Sequence, residues 1–231
     1  MTNALMSAQN LQKSFGLTEA LRGIDIDIYP GEVVAVMGPS GSGKSTLLHC
    51  LAGVLSPDSG EVIFDGQPIS AMKERDRARL RLTQFGFVFQ FGQLLPDVSA
   101  ADNVTMPLLL AGVKRKTALV MASEWLNRFG VGTKADKLPT QLSGGEAQRV
   151  AVARAMVTKP KILFADEPTG SLDSLAGEQV LTAMLEQVRA VGTTVVLITH
   201  DPRAAAYADR EVIVRDGQLS PSYRTGAKVA E

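Results

Sequence analysis

The stretch Gly38-Pro39-Ser40-Gly41-Ser42-Gly43-Lys44-Ser45-Thr46 limits what this chain can fold into more than any other. It fits the phosphate-loop pattern G-x-x-x-x-G-K-S/T. In such a loop the glycines let successive backbone N–H groups turn inward on phosphate oxygens. The N-terminus of the following helix adds positive potential. The chemistry therefore needs a strand before the loop and a helix after it. Val33–Met37 supplies a continuous apolar, β-branched run, the pattern of a strand covered on both faces. A helical pattern begins near Lys44. Lys44 can reach the β- and γ-phosphates of a nucleotide, and the Ser45 hydroxyl can ligate magnesium.

The rest of the chain alternates in the same way. Ile24, Ile26 and Ile28 alternate with acids before Tyr29-Pro30-Gly31, which reads as a half-buried strand ending in a turn. Residues 61–64 predict another strand, closed by Asp65-Gly66, and residues 72–82 a charged surface helix. Residues 85–89 predict a strand. From 91 to 157 helical periods dominate, most clearly at 118–129 and 146–157. Strands return at 162–165, 194–198 and 211–215, with a helix over 175–190. Strands alternating with helices imply an α/β fold with a mainly parallel sheet. The chain reads as one domain, 1–231. Its core is 1–90 with 158–219, carrying a helical insertion at about 91–157. A polar tail at 220–231 is expected to fray.

Composition narrows the function. Lys plus Arg and Asp plus Glu are 24 each, so no net charge draws the chain to nucleic acid. The single cysteine, Cys50, can form no internal disulfide. No stretch approaches the ~18 consecutive apolar residues of a membrane span. The longest candidate, 104–113, is interrupted by Pro107. The expectation is a cytosolic protein whose membrane role, if any, comes through a partner.

A second chemical motif is Ile162-Leu163-Phe164-Ala165-Asp166-Glu167, an apolar strand ending in two acids. Such acids are commonly N-caps or solvated turn residues. With a phosphate loop upstream, Asp166 is expected to hold Mg2+ or its water. Glu167 is expected to orient and activate the attacking water.

These two motifs indicate a P-loop ATPase, and Leu142-Ser143-Gly144-Gly145-Glu146 narrows the choice. That stretch resembles the signature of the ABC transporter ATPases, and Gln148-Arg149-Val150-Ala151-Val152-Ala153-Arg154-Ala155 continues the family's helix pattern. Ser143 at a helix start, with nearby N–H groups, can donate to a γ-phosphate. In ABC proteins that phosphate belongs to the ATP held by the opposite subunit. The resemblance assigns Gln90 to the Q-loop, a contact to magnesium and water, and Asp173 of Ser171-Leu172-Asp173 to the D-loop, which crosses the dimer interface. His200 matches the switch histidine at the γ-phosphate. Phe15, in a loop and in place of the commoner tyrosine, matches the aromatic that stacks on adenine. The resemblance runs from about residue 11 to 219 and implies an antiparallel β subdomain beside the core. His49, Cys50 and Trp125 have no motif behind them and read as packing residues.

Within the family, Phe85-Gly86-Phe87-Val88-Phe89-Gln90, Leu94-Leu95-Pro96, Asp102-Asn103-Val104 and the run from Ala165 to Asp173 are similar to one branch. That branch is the macrolide-exporter and lipoprotein-release group (MacB/LolD-type), whose mechanotransmissive permeases are FtsX-like. The resemblance implies an ATP-bound homodimer at the cytoplasmic face of the membrane, bound to two copies of a separate permease that docks at 91–99. It implies export of a hydrophobic or amphipathic compound such as haem, a peptide, a drug or a lipoprotein. A regulatory ATPase signalling to cell-wall enzymes remains an alternative. A soluble ABC ATPase acting on DNA or ribosomes remains a remoter one.

Overall fold

The computed structural model describes residues 3–223, so residues 224–231 of the expected tail lie outside the described residues. The elements begin with β1 (Met6–Phe15), β2 (Thr18–Ile28), β3 (Val33–Met37) and α1 (Lys44–Leu51). Next come β4 (Ser59–Phe64), β5 (Gln67–Pro68) and α2 (Glu74–Gln84). Then follow β6 (Phe85–Phe89), α3 (Ala100–Leu110), α4 (Arg115–Arg128), α5 (Gly144–Met156), β7 (Ile162–Asp166) and α6 (Ser174–Val191). The last are β8 (Thr194–Ile198), α7 (Pro202–Ala205), β9 (Arg210–Arg215) and β10 (Gln218–Tyr223). Two compact units result, one from the stretches up to Arg81 and from Thr194 on, the other from Leu82–Thr193.

In the first unit, β2, β1, β4 and β5 form an antiparallel sheet in that order. Strand β3 pairs in parallel with β8 on one side and β9 on the other, and β10 runs antiparallel to β9. Val33, Val34, Ala35 and Val36 are buried, as is all of β8. Apolar runs without alternation suit strands covered on both faces. Cys50 packs in this core, and burial pushes its thiol up to about 11.

The second unit holds the helices expected over 91–157 together with β6, β7 and α6. Strands β6 and β7 are parallel, registered from Phe85 opposite Ile162 to Phe89 opposite Asp166. The Phe164 ring lies edge-on to Phe85, centroids 5.3 Å apart, and stacks on Phe87. Helix α6 buries Val180, Leu181, Met184, Leu185 and Val188, an apolar stripe at helical spacing. Each such side chain contributes roughly 1.5–3 kcal/mol when fully buried. Asp173 caps the start of α6, and Gly192, left-handed at φ 73°, ends it.

Three details differ from expectation. Strand β1 was not foreseen, because a bulge at Asn10 (φ 47°) breaks its alternation: Met6 and Ala8 face the core, and so does Leu11. The tail expected from residue 220 is still strand there, since β10 continues to Tyr223. Helix α3 passes through Pro107 and ends at Leu110. No helix of the described residues is long and apolar enough to cross a membrane.

Candidate functional site

The phosphate loop of the first unit joins β3 to α1, and close backbone packing dictates two of its glycines, Gly38 and Gly43. A Cβ on Gly38 would lie 2.1 Å from the Val214 carbonyl oxygen, and one on Gly43 2.3 Å from that of Ala20. Both residues have positive φ, 144° and 104°, so only glycine fits either place. Pro39, Ser40 and Gly41 form the exposed crest, Ser45 is exposed and Thr46 is half-buried. Lys44 is buried, and its ammonium donates to the carbonyls of Gly38 at 2.9 Å and Pro39 at 2.8 Å.

Two observations test this loop for a phosphate ligand. Gly43 is the N-cap of α1, and no side chain caps the helix, which leaves its first N–H groups to an anion. The Ser42 hydroxyl is buried and has no hydrogen-bond partner among the described residues. A buried polar group left unmatched costs about 1–3 kcal/mol, so a phosphate oxygen would relieve it. The residues fit the group.

Phe15 is the last residue of β1 and not a loop residue; it pairs with Thr18 across a two-residue hairpin tip, Gly16-Leu17. Its ring is half exposed, with the Lys13 ammonium 5.7 Å from its centroid. Asp58 anchors the hairpin through Lys13 and the Ser14 N–H, both at 2.7 Å. His200 is exposed just after β8. The adjacent Asp201 carboxyl is held below its usual range, first by Arg203 and least by the charge of His200.

In the second unit Asp166 ends β7, half-buried, and Glu167 follows with φ 50°. A side-chain-bearing residue held left-handed is a strained conformation of the kind that gathers at functional sites. The turn closes through the Gly170 N–H to the Glu167 carbonyl at 3.0 Å. Gln90 follows β6, and its amide converges with the Glu167 carboxylate on Gly170. A Cβ there would stand 3.0 Å from Gln90 Nε2 and 3.3 Å from Glu167 Oε2. The Ser171 hydroxyl donates to the Gln90 carbonyl at 2.6 Å. Asp173 accepts the Ala176 N–H at 2.9 Å through Oδ1, so one of its oxygens caps α6.

Ser143 is the N-cap of α5. Glu146 completes a capping box with it and pairs with Lys134 at 3.1 Å. The Ser143 N–H and hydroxyl are both engaged with Glu146, while the N–H groups of Gly144 and Gly145 at the start of the helix lie outside the box. Gly144 is exposed and Gly145 buried; a Cβ on Gly144 would meet the Leu172 side chain at 3.1 Å. The second unit thus gathers Gln90, Glu167 and Gly170, and braces the D-loop on the signature. Sequence reasoning missed the supporting residues Lys134 and Asp58, whose partners lie far off in sequence and carry no motif.

Among the described residues no group of three or more His, Cys, Asp or Glu could hold a metal. Mg2+ ordinarily takes one or two protein oxygens and fills its shell with phosphate and water. A hydroxyl from Ser45, an amide oxygen from Gln90 and a carboxylate from Asp166 are the donor chemistry it accepts.

The chain matches the ABC transporter family over residues 21–170. It is 45% identical over 223 residues to "Lipoprotein-releasing system ATP-binding protein LolD 2" of Caulobacter vibrioides, covering 95% of this chain and 98% of that one. A relative from Porphyromonas gingivalis, "Lipoprotein-releasing system ATP-binding protein LolD", is 45% identical over 215 residues, 93% of this chain and 98% of the other. Among solved structures, the ATP-binding cassette MJ0796, a dimer bound to ADP and Pi in a post-hydrolysis state, superposes with a TM-score of 0.88 at 33% identity. That match covers 96% of this chain and 99% of the other. The chain belongs to the ABC transporter ATP-binding family, as an ATPase subunit of a transport system that hydrolyses ATP with Mg2+.

Proposed function

We propose that this subunit powers a lipoprotein-release type of transport, driving an FtsX-like permease made as a separate polypeptide. The observation that carries the reading is the end-to-end 45% identity to the lipoprotein-releasing relative of Caulobacter vibrioides. On this reading two copies close as a homodimer around two ATP, held at the cytoplasmic face of the membrane by two permease copies. The cargo is lipid-modified or otherwise amphipathic.

In the proposed cycle Phe15 stacks on the adenine. Lys44 gives up its contacts with the Gly38 and Pro39 carbonyls for the β- and γ-phosphates. The uncapped N–H groups of α1 and the hydroxyls of the loop hold the remaining oxygens. Ser45, Gln90 and Asp166 (directly or through water) hold Mg2+, which neutralises charge on the phosphates. Glu167 takes the proton of the attacking water as its oxygen bonds to the γ-phosphorus in line, and ADP leaves. His200 and the partner's Ser143 donate to the γ-phosphate oxygens as charge builds there. Gly144 and Gly145 let that phosphate approach, Glu146 holds Ser143 in place, and Asp173 reaches across the dimer with the oxygen that does not cap α6. The segment 91–99, with Phe91 and Leu95 exposed, is where the permease docks.

Affinity capture of tagged Glu167→Gln protein from detergent-solubilised native membranes, with ATP and Mg2+, tests the partner. A few-span protein with a large external domain supports the proposal. A many-span importer-type permease refutes the branch and leaves the ATPase intact.

A further inference from the structure

Gln90 stands in a short turn, closed by the Gly92 N–H on the Phe89 carbonyl at 3.1 Å and the Gln93 N–H on the Phe91 carbonyl at 2.7 Å. Gly92 and Gln93 are both left-handed, at φ 66° and 47°. A residue with a side chain keeps that conformation only where its surroundings impose it. Here the surroundings are helix α5, together with the Ser171 hydroxyl on the Gln90 carbonyl. The Arg154 guanidinium places Nη2 on the Gly92 carbonyl at 2.7 Å and Nη1 on the Gln93 carbonyl at 2.8 Å. The fully buried Gln148 amide donates to the Phe89 carbonyl at 2.9 Å. A Cβ on Gly92 would stand 3.1 Å from Gln148 Oε1 and 3.4 Å from the Ala151 methyl, so the segment lies directly on the helix.

The Arg154 contact is costly in kind. Burial pulls the guanidinium pKa down, and both of its hydrogen bonds go to neutral carbonyls instead of a carboxylate. Its planar fork takes two consecutive carbonyls at once, which neither a lysine nor an apolar residue can do. Three carbonyls are gripped, on both sides of Gln90. The gripping helix is the one that Ser143 starts, and Arg154 stands about 16 Å along its axis from Ser143.

We infer that Arg154 and Gln148 are positioning residues for hydrolysis: they fasten the Gln90 segment to α5, so the Gln90 amide moves with the helix that carries Ser143. Engagement of Ser143 by nucleotide and placement of Gln90 then become one event. This rests on the reading of Gln90 as part of the hydrolytic site.

The test is a double-mutant cycle on the full chain with steady-state ATPase and thermal melts. Arg154→Met is expected to lower kcat on the order of 10-fold, short of the ~10² that a 1 Å misplacement can cost. The KM for ATP should barely move. The same substitution in a Gln90→Ala chain is expected to add no further loss, because its route of action has gone. Arg154→Lys should stay impaired, having charge without the fork. If Arg154→Met does not fold, Gln148→Met is put through the same cycle. A loss that persists in the Gln90→Ala chain, full recovery with lysine, or no loss at all overturns the inference alone. Unchanged turnover in Gln90→Ala itself sinks the reading of Gln90 and the inference with it.

Discussion

Ser143 and Glu146 bond to each other twice across the first turn of α5. The Glu146 N–H reaches the Ser143 hydroxyl at 3.3 Å, and the Glu146 carboxylate accepts the Ser143 N–H at 2.9 Å. Lys134 holds the other carboxylate oxygen at 3.1 Å. Glu146→Ala leaves the N–H of residue 146 on the Ser143 hydroxyl and removes the carboxylate's half of the pair, a hydrogen bond worth about 1 kcal/mol, which lowers Tm by roughly 2–4 °C in a chain this long. Glu146→Ala is expected to show that drop. Glu146→Gln keeps an acceptor for the Ser143 N–H and loses only a partly exposed ion pair, worth ~0–1 kcal/mol. Differential scanning calorimetry separates the two; equal melting would mean that the side-chain bond to the Ser143 N–H contributes nothing.

The same carboxylate makes stability depend on acid. Its pKa lies below the ordinary 4.5, held there by the Ser143 N–H first and Lys134 next. Asp102 lies below 3.8, chiefly through the Ser99 hydroxyl and then Arg115. Groups depressed in the folded state bind fewer protons there than in the unfolded chain. Their contribution is complete above the ordinary values and drains away as pH falls through the folded ones. Urea midpoints should be flat from neutrality down to about pH 4.5 and fall below it. Glu146→Gln should blunt the fall.

Two glycines of the phosphate loop should respond very differently to a methyl group. Gly41 has φ 76° with open space around its Cβ position, so Gly41→Ala bears only backbone strain, roughly 1–3 kcal/mol. Gly38→Ala adds a 2.1 Å collision with the Val214 carbonyl. Isothermal titration with ATP is expected to find binding in the first variant and none in the second.

For Glu167→Gln the expected result is ATP binding and ATP-dependent dimerisation as in the parent, with kcat down by ~10²–10⁴, the usual worth of a general base. Size-exclusion chromatography with ATP and a phosphate-release assay read the two halves of the claim. Near-parental turnover would remove Glu167 from its role.

Phe15 is expected to act through its ring face alone. Stacking on a base is worth about 1–3 kcal/mol by alanine substitution, so Phe15→Ala should raise the KM for ATP by roughly ten-fold with little change in kcat. Phe15→Tyr should be neutral. A Phe15→Ala enzyme with unaltered KM would make the ring a packing residue of the hairpin.

The legible parts of this protein were those written in contiguous residues. Val33–Met37 and Thr194–Ile198 announce buried strands because a strand covered on both faces needs no alternation. The phosphate loop announces itself because Gly38 and Gly43 have no substitutes. Strand β1 stayed hidden because the bulge at Asn10 shifts its buried side by one residue, and the charged helix begins at Glu74 instead of 72 because only capping chemistry fixes an end. Phe15 reads as a loop residue for the same reason, although it ends β1. The grip of Arg154 on Gly92 and Gln93 spans 62 and 61 residues, and nothing local marks it.

The β6–β7 register sets Phe89 opposite Asp166, which makes Gln90 and Glu167 the first residues beyond two matched strand ends. The pairing acts as a ruler, and the chemistry is indexed to its last division. Side chains alternate along a strand, so sliding one rail by a single residue would turn every side chain on it to the other face. A one-residue insertion or deletion in either strand is therefore a chemical change as much as a structural one. The apolar teeth of this ladder, Phe85, Phe87 and Phe164, are what keep the scale from slipping.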